Sequence, residues 1–257
     1  MGESVEYEVK GGVAWITLNR PDNHNAMTAS LTGELDEAFE LANGDADARI
    51  IVFGARGRTF CAGADLKSRG KGAIGAPGRH GASPYVSILT QIMEGAKPVV
   101  GRIQGSAFAG GLGLVAACDV AVTVETARFA YTEVRLGLAP WMLSVVLQRK
   151  GALQLSAPYL LNGEKFDAQQ ARAMNLIARV VPESGLDRAV QEEVERFLLC
   201  APNALFETKR IFRTVPGMPM HEAFTFAEKA SRALFEGEEG QEGMTAFKEK
   251  RKPRWAP

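Results

Sequence analysis

An α/β fold built on a largely parallel sheet is predicted for the first half of this 257-residue chain. Three short apolar runs, at residues 50–53, Val99–Ile103 and Val120–Val124, are separated by segments long enough to hold helices. Strands joined in this way usually pair in parallel through right-handed crossovers. From about Leu143 the pattern becomes helical, which predicts a helical C-terminal region.

The other elements follow in chain order. Residues 5–9 and Val13–Leu18 flank Gly11-Gly12, a pattern typical of a β-hairpin. Apolar residues at helical spacing from Leu31 to Ala42 predict a helix that ends near Asn43-Gly44, and a second helix is expected at 111–117. Beyond a short strand at 178–181, three helices are predicted from the apolar positions Leu186, Val190, Val194, Phe197 and Leu198, then Phe224, Ala227 and Leu234, then Met244 and Phe247.

Composition narrows the class of protein. Lys and Arg together number 30, as do Asp and Glu, so no overall basic field suggests nucleic acid as a partner. No apolar run approaches the roughly 20 residues of a membrane span, and the acidic N-terminus does not look like a signal peptide, so we expect a soluble cytoplasmic protein. Cys61, Cys118 and Cys200 lack metal-ligand spacing and are expected to be reduced, mostly buried thiols.

Two glycine-containing segments carry the strongest functional signal. Residues 60–66 read Phe-Cys-Ala-Gly-Ala-Asp-Leu, and residues 105–113 read Gly-Ser-Ala-Phe-Ala-Gly-Gly-Leu-Gly. Small-residue turns after buried strands leave backbone N–H groups accessible to a ligand. If the two turns converge, their N–H groups can stabilise negative charge on one oxygen atom during a reaction.

These segments resemble the crotonase (enoyl-CoA hydratase/isomerase) superfamily. The resemblance covers nearly the whole chain and also includes Asn19-Arg20-Pro21, Asn25-Ala26-Met27, Lys97-Pro98-Val99, Cys118-Asp119, residues 129–140 and the tail at 242–251. It implies a spiral of ββα units in residues 1–195, followed by a helical region at 196–257 for trimerisation and coenzyme A contact. It also implies an acyl-CoA thioester substrate, coenzyme A as part of that substrate with no tightly bound cofactor, and a homotrimer or dimer of trimers. Because no metal-ligand spacing appears in the sequence, no metal is expected.

The resemblance assigns the catalytic groups position by position. The backbone N–H groups of Ala64 and Gly110 would form an oxyanion hole, and the helix that follows Gly110 would favour negative charge there. Glu133 would transfer the proton on carbon, since its hydrophobic surroundings should raise its pKa. The structural alternative for Glu133 is a pair with Arg135 or a capping contact.

Further positions are expected to contact the substrate. The resemblance places His24 along coenzyme A, Ala62 and Leu66 at the adenine, Asp65 in the turn, and Lys250 near the phosphates. Trp141 follows Pro140 where many hydratases carry a glycine-rich run, so it should reshape the acyl end of the pocket. His80 and His221 are expected to face solvent. Residues 68–83, with five glycines, are expected to form a mobile loop that is either a plain connector or a flap over the acyl-CoA.

Gly113 departs from the family pattern. Two-glutamate hydratases carry their other catalytic Glu at this position. Either another polar residue compensates, or the glycine makes room for a bulky acyl group. The sequence therefore predicts an enoyl-CoA hydratase with one Glu, and leaves open a Δ3-Δ2 enoyl-CoA isomerase and a non-catalytic acyl-CoA-binding protein.

Overall fold

Two β-sheets, of six and four strands, organise the chain in the computed structural model, which describes residues 2–67 and 81–257. The strands are β1 Val5–Lys10, β2 Val13–Leu18, β3 Ile50–Ala55, β4 Thr59–Cys61, β5 Val99–Ile103, β6 Ser106–Phe108, β7 Val120–Val124, β8 Arg128–Ala130, β9 Phe166–Asp167 and β10 Arg179–Val181. The helices are α1 Ala29–Gly44, α2 Pro84–Glu94, α3 Gly110–Ala117, α4 Trp141–Arg149, α5 Ala157–Asn162, α6 Ala168–Ala173, α7 Leu186–Leu198, α8 Pro202–Thr214, α9 Met220–Glu236 and α10 Glu238–Glu249.

The larger sheet has the strand order β1-β2-β3-β5-β7-β10. Its first two strands form the predicted antiparallel hairpin, in which Val5 pairs with Leu18. Every other neighbouring pair in this sheet is parallel. The prediction of a largely parallel sheet is therefore confirmed.

The smaller sheet has the order β4-β6-β8-β9, and only β9 runs antiparallel to its neighbour. From β3 to β8 the chain alternates between the two sheets, adding one strand to each in turn. This alternation is the spiral that the resemblance implies. The four strands have only two or three residues each, too few for an alternating pattern to reveal them in the sequence.

The core lies between the sheets and the helices that cover them. Phe53 of β3 stacks edge-on against Phe39 and Phe60, with both ring centroids 5.3 Å away. Helix α3 has no polar side chain, and its residues from Gly111 to Ala117 are all buried. A helix that is apolar on every side is stable only when it is enclosed, and this enclosure fixes its N-terminus in place.

The last three helices, α8 to α10, cover less of the core. Lys209, the only buried residue of α8, donates to Asp119 at 2.8 Å and to the carbonyl oxygens of Ile92 and Lys97. Helix α9 has no buried residue. The three helices predicted after residue 185 are confirmed, whereas the predicted division at residue 195 falls inside α7 and stays a prediction. No helix among the described residues is long and apolar enough to cross a membrane.

Candidate functional site

The predicted catalytic positions lie at the ends of three neighbouring strands. Strands β4, β6 and β8 are parallel, so their carboxyl ends meet at one edge of the smaller sheet. Residues 62–65 follow β4, residues 109–110 follow β6, and the short 3-10 helix Thr132–Leu136 follows β8. We call these three segments the strand-end edge. Ligands of such sheets usually bind at the carboxyl ends of the strands.

The two glycine-containing turns converge at this edge. Gly63 has φ +87°, and a Cβ atom on it would lie 2.9 Å from the oxygen of Phe108 and 3.7 Å from the nitrogen of Gly110. Both the conformation and the close approach favour glycine at this position. The condition for a shared oxygen-binding site, that the turns meet, is therefore fulfilled.

Hydrogen bonds to and from Met27 orient the backbone around Ala64. The N–H of Met27 donates to Gly63 O at 2.8 Å, and the N–H of Asp65 donates to Met27 O at 3.0 Å. Successive residues of an extended segment face alternate sides, so the N–H of Ala64 between these two bonds is directed away from Met27. We therefore expect this N–H to be available to a ligand on the other side of the turn.

Gly110 presents its N–H for a different reason. It is the first residue of α3, and the first N–H groups of a helix have no partner within the helix. The preceding Ala109 has φ 47° and ψ −126°, unusual for a residue with a side chain, and its N–H donates to Ala130 O at 3.0 Å. Such unusual backbone geometry is commonest at functional sites.

Glu133 carries an unpaired carboxylate oxygen. Its Oε2 is buried and has no hydrogen-bond partner among the described residues. Burial raises the pKa of Glu133 above its ordinary value, as its sequence context predicted. The guanidinium of Arg135 turns away and donates to Asn162 O at 2.9 Å, so the alternative of a Glu133–Arg135 pair is not supported. A half-buried carboxylate with a raised pKa and one buried, unpaired oxygen is typical of a catalytic acid or base.

The space beside Gly113 is already filled. A Cβ atom on Gly113 would collide with Oη of Tyr85 and with Cδ1 of Leu143. The Tyr85 hydroxyl donates to Gly110 O at 2.8 Å. The interpretation that this glycine leaves open room for an acyl group is therefore corrected. Nothing in the sequence marked Tyr85, because only the folded chain brings the start of α2 onto α3.

On the predicted coenzyme A side of the site, hydrogen bonds join the segment around His24 to β4 and the turn that follows it. The N–H of Ala62 donates to His24 O at 3.0 Å, and Nδ1 of the exposed His24 lies 3.0 Å from Thr59 Oγ1. Asp65 accepts hydrogen bonds from the N–H of Lys67 at 2.9 Å and from the Asn23 amide at 3.2 Å, which confirms its role in the turn. Leu66 follows on the surface. Contact of these residues with coenzyme A stays a prediction.

Other predicted positions lie at the rim or elsewhere. Trp141 begins α4 and is 79% exposed, two residues before the buried Leu143 that contacts Gly113. Lys250 is the C-cap that follows α10, in a tail held by a hydrogen bond of 2.6 Å from Arg49 to Trp255 O. No described contact joins it to the strand-end edge. His221 is exposed, as expected. His80 and nearly all of the predicted loop at 68–83 lie outside the described residues.

The thiols offer no alternative nucleophile. Cys61 and Cys118 are buried and unbridged, and burial raises the pKa of each to about 12. A thiol with this pKa is almost entirely protonated at neutral pH and reacts slowly. Cys200 is exposed, away from the site. Within residues 2–67 and 81–257, no cluster of three His, Cys, Asp or Glu side chains could hold a metal ion.

The chain is similar to known proteins in both sequence and structure. A family model described as enoyl-CoA hydratase/isomerase matches residues 8–257. A Thermus thermophilus protein, provisionally named enoyl-CoA hydratase, is 33% identical over 96% of this chain and 98% of its own length. The carnitinyl-CoA dehydratase of Citrobacter koseri is 32% identical over 99% of both chains. The crystal structure of an enoyl-CoA hydratase from Mycobacterium smegmatis superposes with a TM-score of 0.89, at 30% identity and 99% coverage of both chains.

Proposed function

Because the chain belongs to the enoyl-CoA hydratase/isomerase family and has the crotonase fold, we propose that it is an enoyl-CoA hydratase. It would add water across the α,β double bond of an acyl-CoA thioester, or remove it in the reverse direction. The observation that carries this proposal is the buried, unpaired Oε2 of Glu133 at the same sheet edge as the N–H groups of Ala64 and Gly110. The names hydratase and dehydratase in two relatives describe the two directions of such a reaction.

The backbone donors act on the thioester oxygen. When the C2=C3 double bond is attacked, its π electrons move towards C1 and the thioester oxygen becomes negatively charged. The N–H groups of Ala64 and Gly110 donate to this oxygen and stabilise the enolate, helped by the positive end of the α3 dipole. Removal of one such donor typically costs about 3–4 kcal/mol of transition-state stabilisation.

Glu133 moves the proton. Its carboxylate accepts a proton from water while the water oxygen bonds to C3. The resulting carboxylic acid then delivers that proton to C2, which restores the thioester carbonyl and the ionised Glu133. Its raised pKa suits both halves of this transfer near neutral pH.

The remaining predicted residues bind the substrate. His24 lies beside the segment that holds Ala62, Asp65 and Leu66, and coenzyme A would lie along these residues. Gly113 would lie under the reacting end, Trp141 would border the acyl group, and Lys250 would meet the phosphates. Coenzyme A enters with the substrate, and the reaction needs no other cofactor.

A Δ3-Δ2 enoyl-CoA isomerase is the second candidate. It is favoured because Glu133 is the one predicted catalytic carboxylate and Gly113 supplies no second one. One acid/base group suffices to take a proton from C2 and return it to C4. A non-catalytic acyl-CoA-binding protein is the third candidate, since it would need no second carboxylate either.

A panel of thioesters distinguishes the three functions. We expect the protein to hydrate 2-enoyl-CoA thioesters and to isomerise 3-enoyl-CoA thioesters more slowly. The panel should also measure deuterium exchange at C2 of a saturated acyl-CoA in heavy water. Isomerisation without hydration would replace the proposal with the second candidate, and binding without turnover or exchange would replace it with the third.

A further inference from the structure

We propose that the Tyr85 hydroxyl holds the water that adds to C3, in the place that a second carboxylate would otherwise take. This makes Tyr85 a catalytic residue, with Glu133 as the only group that transfers protons. The inference rests on the proposed hydratase function and deepens it, because it supplies the second polar group that hydration requires.

The position of the hydroxyl is the first argument. Oη of Tyr85 occupies the space that a side chain on Gly113 would enter. It also lies over the first residue of α3, since a Cβ atom on Gly110 would be 3.5 Å from both Oη and Cζ. The hydroxyl therefore sits between the predicted oxyanion donor and the position where the family's second glutamate is missing.

Hydrogen-bond capacity is the second argument. A tyrosine hydroxyl has one proton to donate and lone pairs with which it can accept. The hydroxyl proton is used in the 2.8 Å bond to Gly110 O, so the oxygen can accept a hydrogen bond from water but has no proton left to donate to it. Water held in this way keeps its second proton for Glu133 and its own lone pair for C3.

The tyrosine stays neutral throughout. Burial is the main cause that raises the pKa of Tyr85, with smaller contributions from Cys61 and from the negative charge of Glu133. Because it keeps its proton, Tyr85 orients the water and does not act as a second base. The charge of Glu133 acts on Tyr85, so the two groups lie within range of an electrostatic interaction.

The ring is well placed for this role. Tyr85 lies in the first turn of α2, where Ser83 caps the helix by accepting from the N–H of Val86, and the ring packs against the buried core. A group fixed by the fold before substrate binds needs little reorganisation during the reaction.

The rival interpretation is purely structural, with Tyr85 serving only to hold the Gly110 carbonyl. Tyr85→Phe removes the oxygen and retains the ring, and Tyr7→Phe is the matched control, because the Tyr7 hydroxyl also donates to a neighbour, Asp45, but lies on β1. Circular dichroism verifies the fold of each variant. The assays are hydration of a 2-enoyl-CoA, C2 deuterium exchange of a saturated acyl-CoA, and the Kd of that acyl-CoA.

We expect Tyr85→Phe to lower kcat for hydration roughly tenfold or more, the effect of one lost hydrogen bond in the transition state. C2 exchange and Kd should stay within about twofold of the wild type, because exchange uses the oxyanion donors and Glu133 without attack by water. Tyr7→Phe should change none of the three.

Two results would overturn the role of Tyr85 alone. Unchanged hydration would show that the hydroxyl does not hold the water, and equal losses of hydration and exchange would show that it acts by shaping the oxyanion hole. If Tyr85→Phe does not fold, Tyr85→His keeps a hydrogen-bonding group and must retain more hydration than Tyr85→Leu, or the proposal fails. Absence of hydration by the wild type would instead overturn the hydratase function, and this inference with it.

Discussion

Helix α3 at the strand-end edge buries its apolar residues, whereas the C-terminal helices leave several large apolar side chains exposed. At the edge, α3 is enclosed and even glycine positions are tightly packed, with Tyr85 and Leu143 pressed onto Gly113. In α9, by contrast, no residue is buried, and Phe224 and Phe235 are 71% and 64% exposed. The first region completes its packing within one chain, whereas the second presents large side chains outward.

This difference indicates separate tasks for the two regions. Exposed aromatic clusters on helices usually mark a protein interface. The exposed apolar residues of α8 and α9 include Ile211, Phe212, Phe224 and Phe235. We therefore expect chemistry to depend on the strand-end edge and assembly to depend on the C-terminal helices, so that mutations can separate the two.

The largest effect is expected from Glu133→Gln. This variant keeps the size of the side chain but cannot transfer a proton, so turnover should fall by about 10²–10⁴-fold. Acyl-CoA affinity and subunit assembly should hardly change. Steady-state kinetics and light scattering check both parts, with Glu8→Gln on the exposed side of β1 as control. Wild-type turnover in Glu133→Gln would show that Glu133 does not transfer the proton and that the strand-end edge is not the catalytic site.

Gly113→Ala tests how tightly the edge is packed. The new methyl group would collide with Tyr85 and Leu143, so we expect a loss of roughly 1–3 kcal/mol in the free energy of unfolding. Gly113→Glu adds a larger group and a buried charge, and should also weaken binding of a bulky acyl-CoA.

Gly33→Ala is the matched control for Gly113→Ala. Gly33 lies within α1, and apart from its chain neighbours and the backbone of its own helix no atom is within 4 Å of the Cβ position on Gly33. There the substitution should stabilise the protein by about 0.5–1 kcal/mol, since alanine favours helix. Denaturant unfolding measures both variants. Equal stability changes in the two would mean that Gly113 is not tightly packed.

The C-terminal helices are tested by the mass of the protein in solution. We expect the wild type to be a trimer or a dimer of trimers, and Phe224→Ser combined with Phe235→Ser to lower the mass by a factor of about three to six, because their exposed rings would form the interface. Leu41→Ser, which also removes an exposed apolar side chain but on α1, is the control. A monomeric wild type at micromolar concentration in light scattering would contradict the assignment.

The smallest effect concerns stability and pH. Burial raises the pKa of Glu133 in the folded protein, so its ionisation favours unfolding. Below the unfolded-state pKa, about 4.3, Glu133 is protonated in both states, and the folded protein keeps the full stability of the protonated group. This part of the free energy of unfolding is lost as the pH rises through the higher folded-state pKa. Glu133→Gln should therefore have a higher Tm than the wild type at neutral pH, and the gap should close towards pH 4. A gap independent of pH would show that ionisation of Glu133 is not its cause.

Much of the larger sheet could be predicted, because its buried strands form continuous apolar runs. Val99–Ile103 and Val120–Val124 were predicted with the bounds that β5 and β7 have. The smaller sheet could not be predicted, since strands such as Phe166–Asp167 are too short to show a period. Yet it is this sheet that aligns the three segments of the strand-end edge.

The site was predictable only where local sequence carries the signal. The turn at Gly63, the helix start at Gly110 and the hydrophobic context of Glu133 are all local features. Tyr85 was missed because its importance comes from a contact with Gly110 and Gly113, which lie on a different helix. A missing group in a motif, such as the side chain absent at Gly113, predicts that some residue compensates but not which one.

The alternation of the chain between its two sheets also bears on how the protein reaches its folded state. Helices and strands of the larger sheet separate the segments of the strand-end edge along the chain. These segments therefore meet only after long stretches of chain have been closed into loops. Such closure lowers chain entropy before the contacts form, which slows folding. A ligand that needs all three segments binds the completed molecule alone and stabilises it by mass action. During synthesis, a thioester can therefore favour folding of this chain only after the segment around Glu133 has left the ribosome.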